Sequence, residues 1–444
     1  MLPRSPRVLR RAGMSVLAGL LIVASGCGQA IPTPPATPSP SPVPPAASES
    51  PISSPSTTPS SSPSPSQDSA TVYREIEAQV VAIRGLQPTR SITPTILDEA
   101  QLATYIKDQF AKDNPPAQTA ANERLLKGLG LLPPDSSLAD LEISMLQGQV
   151  AGLYSPDDRA LYIVSKSGGL GPVEQVTFAH EFTHALQDQH FDLTKFGVDT
   201  VGQGDQSLAR LSLVEGDATT VMSVWAQAHL TPEQLLQLAG QSLDPAQLAA
   251  FGKLPPILRE TLLFPYQEGL QFVLGLQLAG GWKAVDAAFA APPNSTEQVI
   301  HPEKFATHEK AATVELRSDL PAGLGEGWKA ALQDTLGELE LRIWLTEVAR
   351  LPQATAAADA AGWGGDRVEL LEGPAGKWAV VLGSIWDTAA DATEFANGAN
   401  AAVNVGGLTA SVADKSASTS VTVLIASDSS TLIDLSRVLG LVGV

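Results

Sequence analysis

The sequence predicts an α+β protein, on three observations. Apolar residues recur three and four apart between residues 71 and 290, as in TVYREIEAQVVAIR and QSLARLSLVEGDATTVMSVWAQA, which predicts a largely helical body. Two β-rich runs flank a Ser-Pro-Asp-Asp turn at 155–158 and predict a hairpin over 150–164. Beyond about residue 311, strand patterns alternate with helical ones. We therefore expect a hairpin or small sheet with helices, followed by a second α+β region.

The predicted second region, residues 311–444, carries no chemical motif that we recognise. It opens with a helical pattern, WKAALQDTLGELELRIWLTEVAR, and continues as a small ββαββα lobe. Its strand patterns are RVELLE, KWAVVLGSI, LTASVADK and SVTVLIAS, and its helical patterns are TAADATEFANGANAA and STLIDLSRVLG. The sequence leaves the role of this lobe open.

The N-terminal residues 1–26 have the pattern of an export signal. Four arginines precede a short apolar segment that ends in small residues, VLAGLLIVASGC. The only cysteine, Cys27, closes ASGC, which resembles the lipobox of bacterial lipoproteins and implies lipid attachment at Cys27. An ordinary signal with a chance cysteine is the alternative. We expect a protein anchored by its lipid to the outer face of the cell membrane, or on the periplasmic side, with no disulfide.

Residues 27–68 are almost all Pro, Ser, Thr and Ala, and predict a disordered tether. Without the four signal arginines, Lys+Arg falls from 28 to 24 against 47 Asp+Glu, a net charge of −23. A chain with this much negative charge is a poor partner for nucleic acid or for anionic lipid. We therefore expect it to contact the membrane through the lipid anchor alone. The chemistry is expected in the body that follows, residues 69–310.

The stretch HEFTHALQDQH, residues 180–190, contains the pattern H-E-x-x-H that is typical of zinc proteases. The helix that carries it should begin at Pro172. On a helix His180 and His184 lie one turn apart on one face, as two zinc ligands require. Glu181 is offset by about a quarter turn, where its carboxylate can take a proton from a water that zinc acidifies. Two satisfied or surface histidines are the alternative.

The third ligand has two candidates. In the longer pattern H-E-x-x-H-x-x-G-x-x-H, a glycine turns the chain so that the last histidine reaches the metal. Gln187 stands in place of that glycine, so we expect the helix to continue and carry His190 away. Glu215, in LSLVEGDATTV, lies beside an apolar helical stripe, where a metal would offset the cost of a buried carboxylate. Asp217 is the candidate to hydrogen-bond a ligating histidine.

HEFTH, a later EGDA and then PYQEGLQFV together resemble the gluzincin branch of the zincin metallopeptidases, over about residues 150–310. The resemblance implies a zincin-like domain with one Zn²⁺ per chain. It implies His180, His184 and Glu215 as ligands and Glu181 as general base. The supporting aspartate of thermolysin-like enzymes would fall at Thr219, so Asp217 departs from that pattern.

Gluzincins also place a tyrosine or histidine at the developing oxyanion. Tyr266 in FPYQEGLQFV and His301 in STEQVIHPEKF are the candidates, each with the alternative of a packing or loop residue. The expected function is hydrolysis of polypeptides by a membrane-tethered zinc peptidase. An inactive zincin-derived binding module and a structural envelope lipoprotein remain alternatives.

Overall fold

The computed structural model describes residues 69–149, 151–164, 170–242, 245–414 and 417–441. The export signal, Cys27 and the tether lie outside the described residues. The fold is mixed α+β, as the sequence predicts. Within the described residues, no helix is both long enough and apolar enough to cross a membrane.

The elements of the body are α1 (Ser69–Arg84), β1 (Thr95–Leu97), α2 (Glu99–Asp113), α3 (Pro116–Gly128), α4 (Leu138–Gln149), β2 (Gly152–Ser155), β3 (Ala160–Val164), α5 (Pro172–Phe191), α6 (Gly204–His229), α7 (Pro232–Ser242), α8 (Pro245–Gly252), α9 (Pro256–Gly280), α10 (Trp282–Ala290), α11 (Thr296–Ile300) and α12 (Pro302–Ala306). The C-terminal elements are α13 (Leu320–Leu324), β4 (Lys329–Asp334), α14 (Gly337–Glu347), α15 (Gln353–Ala360), β5 (Trp363–Glu372), β6 (Trp378–Trp386), α16 (Ala389–Gly406), β7 (Ala410–Asp414), β8 (Ser420–Ala426) and α17 (Ser429–Leu439).

The predicted hairpin is present and belongs to a three-stranded sheet. β2 and β3 pair antiparallel, with Gly152 opposite Ile163. β1 pairs parallel to β3, so β3 is central and β2 forms one edge. The sequence patterns did not indicate β1. Its three residues are too few to show a period of two.

The helix that carries HEFTH lies at the centre of the first core. It begins at Pro172, as predicted, and ends at Phe191, where Asp192 takes a left-handed conformation (φ 53°). α1 covers one side with Tyr73, whose ring centroid lies 4.5 Å from that of Phe178. The hairpin and α6 complete the cluster. Every side chain from Val176 to Asp188 is buried, so polar groups on this helix must find partners inside the protein.

α6 and α9 approach each other closely because two glycines face each other between them. A Cβ on Gly216 would lie 2.1 Å from the carbonyl oxygen of Gly269, and one on Gly269 would lie 2.3 Å from that of Ser212. No larger residue fits either position without moving a helix backbone. Gly216 follows Glu215 directly and Gly269 follows Tyr266 by three residues, so this contact brings α9 against the carboxylate-bearing part of α6.

The C-terminal region contains the predicted ββαββα order, in β5, β6, α16, β7, β8 and α17. All its strand pairs are antiparallel, in the order β4-β5-β6-β8-β7. β4 corrects one prediction: residues 329–334, expected to open a helix, form an edge strand against β5. Ala and Leu favour helices there, but strand pairing and the burial of Leu332 outweigh local propensity. One hydrophobic cluster contains residues from both sides of the predicted domain boundary at residue 311.

Candidate metal centre

Three side chains from two helices converge on one point. His180 and His184 project from α5 one turn apart, with their Nε2 atoms 2.9 Å from each other. Glu215 projects from α6, and its Oε2 lies 3.2 Å from His180 Nε2 and 3.4 Å from His184 Nε2. All three side chains are fully buried. Two nitrogens and one carboxylate oxygen therefore face a shared, buried centre.

The spacing of these atoms fits a tetrahedral metal site. Ligands at about 2.0–2.2 Å from a zinc ion in a tetrahedron lie roughly 3.3–3.6 Å from one another. The observed separations of 2.9, 3.2 and 3.4 Å are close to that value. Three protein ligands leave the fourth position for water or substrate, as in catalytic rather than structural sites. These residues could hold one ion.

A second group of acids lies close together but already holds a cation. Glu297, Glu309 and Asp387 place their oxygens within reach of one another. The Nζ of Lys304 donates to all three, at 2.6, 3.0 and 2.7 Å. The lysine ammonium takes the place that a metal would need, so this group is an ion-pair network.

Glu181 and Tyr266 stand beside the His180–His184–Glu215 cluster. Glu181 is fully buried, and its negative charge acts on both His184 and Tyr266. Burial alone would lower the pKa of His184, but Glu215 and Glu181 outweigh it and raise that pKa to about 9. Burial, with the charges of Glu215 and Glu181, raises the pKa of Tyr266 well above 10.0. Tyr266 therefore keeps its proton and can donate a hydrogen bond toward the cluster.

Gln187 fixes the orientation of His184, a role that the sequence patterns did not assign to it. Its Nε2 donates to the Val214 carbonyl and to Asp217 Oδ2, both at 2.9 Å. These two hydrogen bonds leave the Oε1 of Gln187 facing His184, whose Nδ1 donates to it at 2.8 Å. A metal bound at the centre would take the Nε2 lone pair of His184 while the proton stays on Nδ1. Gln187, in place of the missing glycine, is thus part of the site.

The expected role of Asp217 needs a correction. We predicted that it would hydrogen-bond a ligating histidine directly, but Gln187 lies between Asp217 and His184. Asp217 also accepts from Arg84 Nε, at 2.8 Å to Oδ1 and 3.0 Å to Oδ2. Arg84 is only 1% exposed, donates to Asp286 at 2.7 Å and stacks on Trp282. No motif marks an arginine more than 130 residues away in sequence from its partner.

Replacing Gln187 with leucine is expected to weaken metal binding about 10- to 100-fold, as loss of a partner to a ligating histidine does elsewhere. His184 would lose its acceptor at Nδ1, and its ring would no longer be held in one tautomer. Competition with a fluorescent zinc chelator measures the change. Gln189→Leu is the matched control, because Gln189 lies on the same helix but accepts from Thr89 and Arg90. Equal affinities for the two variants would contradict the role of Gln187.

His190 and His301 lie away from the cluster. α5 continues through His190, which is exposed and contacts the Gln87 carbonyl at 2.8 Å. His301 Nε2 lies 3.0 Å from Glu338 Oε1. Thr296, five residues before His301 in the chain, donates to Asp205. Asp205 lies on α6, about 15 Å of helix before Glu215. The structure therefore separates His301 from the cluster, and of the two oxyanion candidates Tyr266 alone stands beside it.

The hairpin lies against the cluster-bearing helix. A Cβ on Gly152 of β2 would come within 2.6 Å of the Thr177 side chain on α5. Tyr154 of the same strand donates to Asp188 near the end of α5, at 2.8 Å. Arg90 donates to both Tyr154 and Asp188, at 2.6 and 2.9 Å. These contacts fix an edge strand next to the helix that carries His180 and His184.

Comparison with known proteins gives one match. Residues 327–434 match a family described as "Domain of unknown function (DUF8575)". The matched range covers the five-stranded sheet with α14 to α16 and part of α17, and the His180–His184–Glu215 cluster lies outside it. Searches of curated proteins and of solved structures find no match.

Proposed function

We propose that this chain is a zinc-dependent metallopeptidase. The observation that carries the proposal is the buried convergence of His180, His184 and Glu215 with Glu181 beside it. The resemblance of HEFTH and EGDA to gluzincins supports the same function. The export signal and Cys27 further suggest an enzyme tethered outside the cytoplasm by its lipid.

Bound zinc would supply a Lewis acid that acidifies a water molecule and polarises the substrate carbonyl. Glu181 accepts a proton from the attacking water and returns it to the leaving amine. Tyr266, kept protonated by burial and by its acidic neighbours, donates a hydrogen bond to the oxygen that becomes negative. Gln187 holds His184 in the tautomer whose Nε2 can bind the metal.

A polypeptide is the substrate class that suits the edge strand. An extended peptide can add to the edge strand of a sheet through backbone hydrogen bonds. β2 is at an edge of its sheet and lies against α5. The competing function is an inactive binding module. Such a protein would not need a general base, so it would not require a buried Glu181 next to two histidines.

The experiment is hydrolysis of a mixed peptide library by the full chain, with metal removed and then restored. Activity should be lost on chelation and recovered with one equivalent of zinc per chain. Hydrolysis that persists in the metal-free protein, or that is absent from the zinc-loaded protein, would overturn the proposal.

A further inference from the structure

A cavity of about 120 Å³ lies on the Tyr266 side of the candidate metal centre. Tyr266 forms part of its wall, and so does Leu211, one helical turn before Glu215 on α6. An apolar cavity of about 150 Å³ is known to hold benzene, so this one has room for a single side chain. Because Tyr266 borders both, a peptide held at the metal centre could place one side chain in this cavity.

The walls are mostly aliphatic, but the charged groups are all acidic. Leucine and isoleucine side chains from α3, α4, α6 and α9 supply most of the surface. Glu142, Asp334 and Glu340 also line the cavity. Among the described residues that line it, none is a lysine, arginine or histidine. An aliphatic stem with a cationic end matches both features of this surface.

Glu142 gives the cavity its second, independent indication of a ligand. The residue is 1% exposed, and its Oε2 has no hydrogen-bond partner among the described residues. A buried carboxylate without a partner is costly. Burial therefore favours the protonated form and raises the pKa of Glu142 to about 8. A ligand with polar hydrogens at its end would satisfy the carboxylate.

We infer that this cavity binds the lysine or arginine side chain of a peptide substrate, with Glu142 as its counter-ion. The inference rests on the proposed peptidase function and adds a substrate preference to it. The strong negative charge of the whole chain, −19, favours the approach of basic peptides. Leucines would pack against the methylene stem, and the carboxyl group of Glu142 would ionise on pairing with the cation.

The test compares two pentapeptides, Ala-Ala-Lys-Ala-Ala and the same peptide with norleucine at its centre. Binding is measured by calorimetry with the zinc-loaded full chain carrying Glu181→Gln, so that no peptide is cleaved. We expect the lysine peptide to bind at least about tenfold more tightly, and Glu142→Gln to remove that preference. Glu369→Gln is the matched control: Glu369 is also buried with one unpartnered oxygen but does not line the cavity. The inference is overturned if norleucine binds as well as lysine, or if the preference survives Glu142→Gln.

A second variant guards against misfolding. Glu142→Leu replaces an unpartnered carboxyl with an apolar group of similar size, so it should fold and should reverse the preference toward norleucine. A folded Glu142→Leu chain that still prefers lysine would also overturn the inference.

Cleavage by the wild-type chain separates the two proposals. Hydrolysis without a basic preference would leave the peptidase standing and overturn the cavity assignment. A Glu142-dependent lysine preference with no hydrolysis would overturn the peptidase and support the cavity as a binding site.

Discussion

Glu181→Gln is expected to lower kcat/KM for peptide hydrolysis about 10²- to 10⁴-fold while the chain keeps its zinc. Glutamine has nearly the same shape but cannot accept a proton, so only the base is lost. Glu181 is not one of the three converging ligand residues, which is why metal content should not change. Steady-state kinetics and metal analysis on the same preparation measure both quantities.

The matched control for this variant is Glu174→Gln. Glu174 is also buried on α5, but it lies in the first turn of the helix, nearly two turns before Glu181. It should retain most of the activity. Equal activity of wild type and Glu181→Gln would contradict the role of Glu181, and equal loss in both variants would indicate that damage to α5, and not removal of the base, causes the effect.

Arg84→Met is expected to destabilise the fold by about 3–5 kcal/mol, the usual cost of removing one partner from a buried ion pair. Both side chains of the Arg84–Asp217 pair are fully buried. Burial raises the pKa of Asp217, and Arg84 and Gln187 oppose that effect. Without the guanidinium, Asp217 would be left ionised and poorly compensated, or would take up a proton. Its hydrogen bond to Gln187 would then weaken, so metal affinity should also fall. Chemical denaturation and chelator competition measure the two effects.

Arg74→Met controls for loss of an arginine from the same helix. Arg74 is exposed and, among the residues that the structure describes, donates only to nearby groups of α1. Adding Asp217→Asn to Arg84→Met should recover part of the lost stability, because the uncompensated carboxylate is removed. A loss of stability no greater than that of Arg74→Met would refute the proposed role of Arg84.

Local patterns in the sequence were sufficient to predict the elements that carry the site. The apolar periodicity and Pro172 predicted α5, and the absence of glycine at 187 predicted that this helix would continue past His190. The burial of Glu215 followed from its place beside an apolar stripe on α6. In each case the signal lies within one helix, where spacing along the chain determines which residues share a face.

Contacts between distant segments were not predictable in this way. Gln187 reads in sequence only as a good helix former, yet it joins His184 to Asp217. Arg84 ends a separate helix with no motif. His301 follows Tyr266 in the chain as a gluzincin histidine would, but folding places it against Glu338. β4 has helical composition and becomes a strand only because β5 offers an edge. These outcomes depend on packing that no local pattern specifies.

The most direct test of the central claim is the zinc content of the wild-type full chain compared with Glu215→Ala and His190→Ala. We expect about one tightly bound zinc per chain in the wild type and in His190→Ala, and loss of tight binding in Glu215→Ala. Zinc that is retained in Glu215→Ala and lost in His190→Ala would contradict the assignment of the third ligand. A wild-type chain that binds no zinc would contradict the metal centre itself.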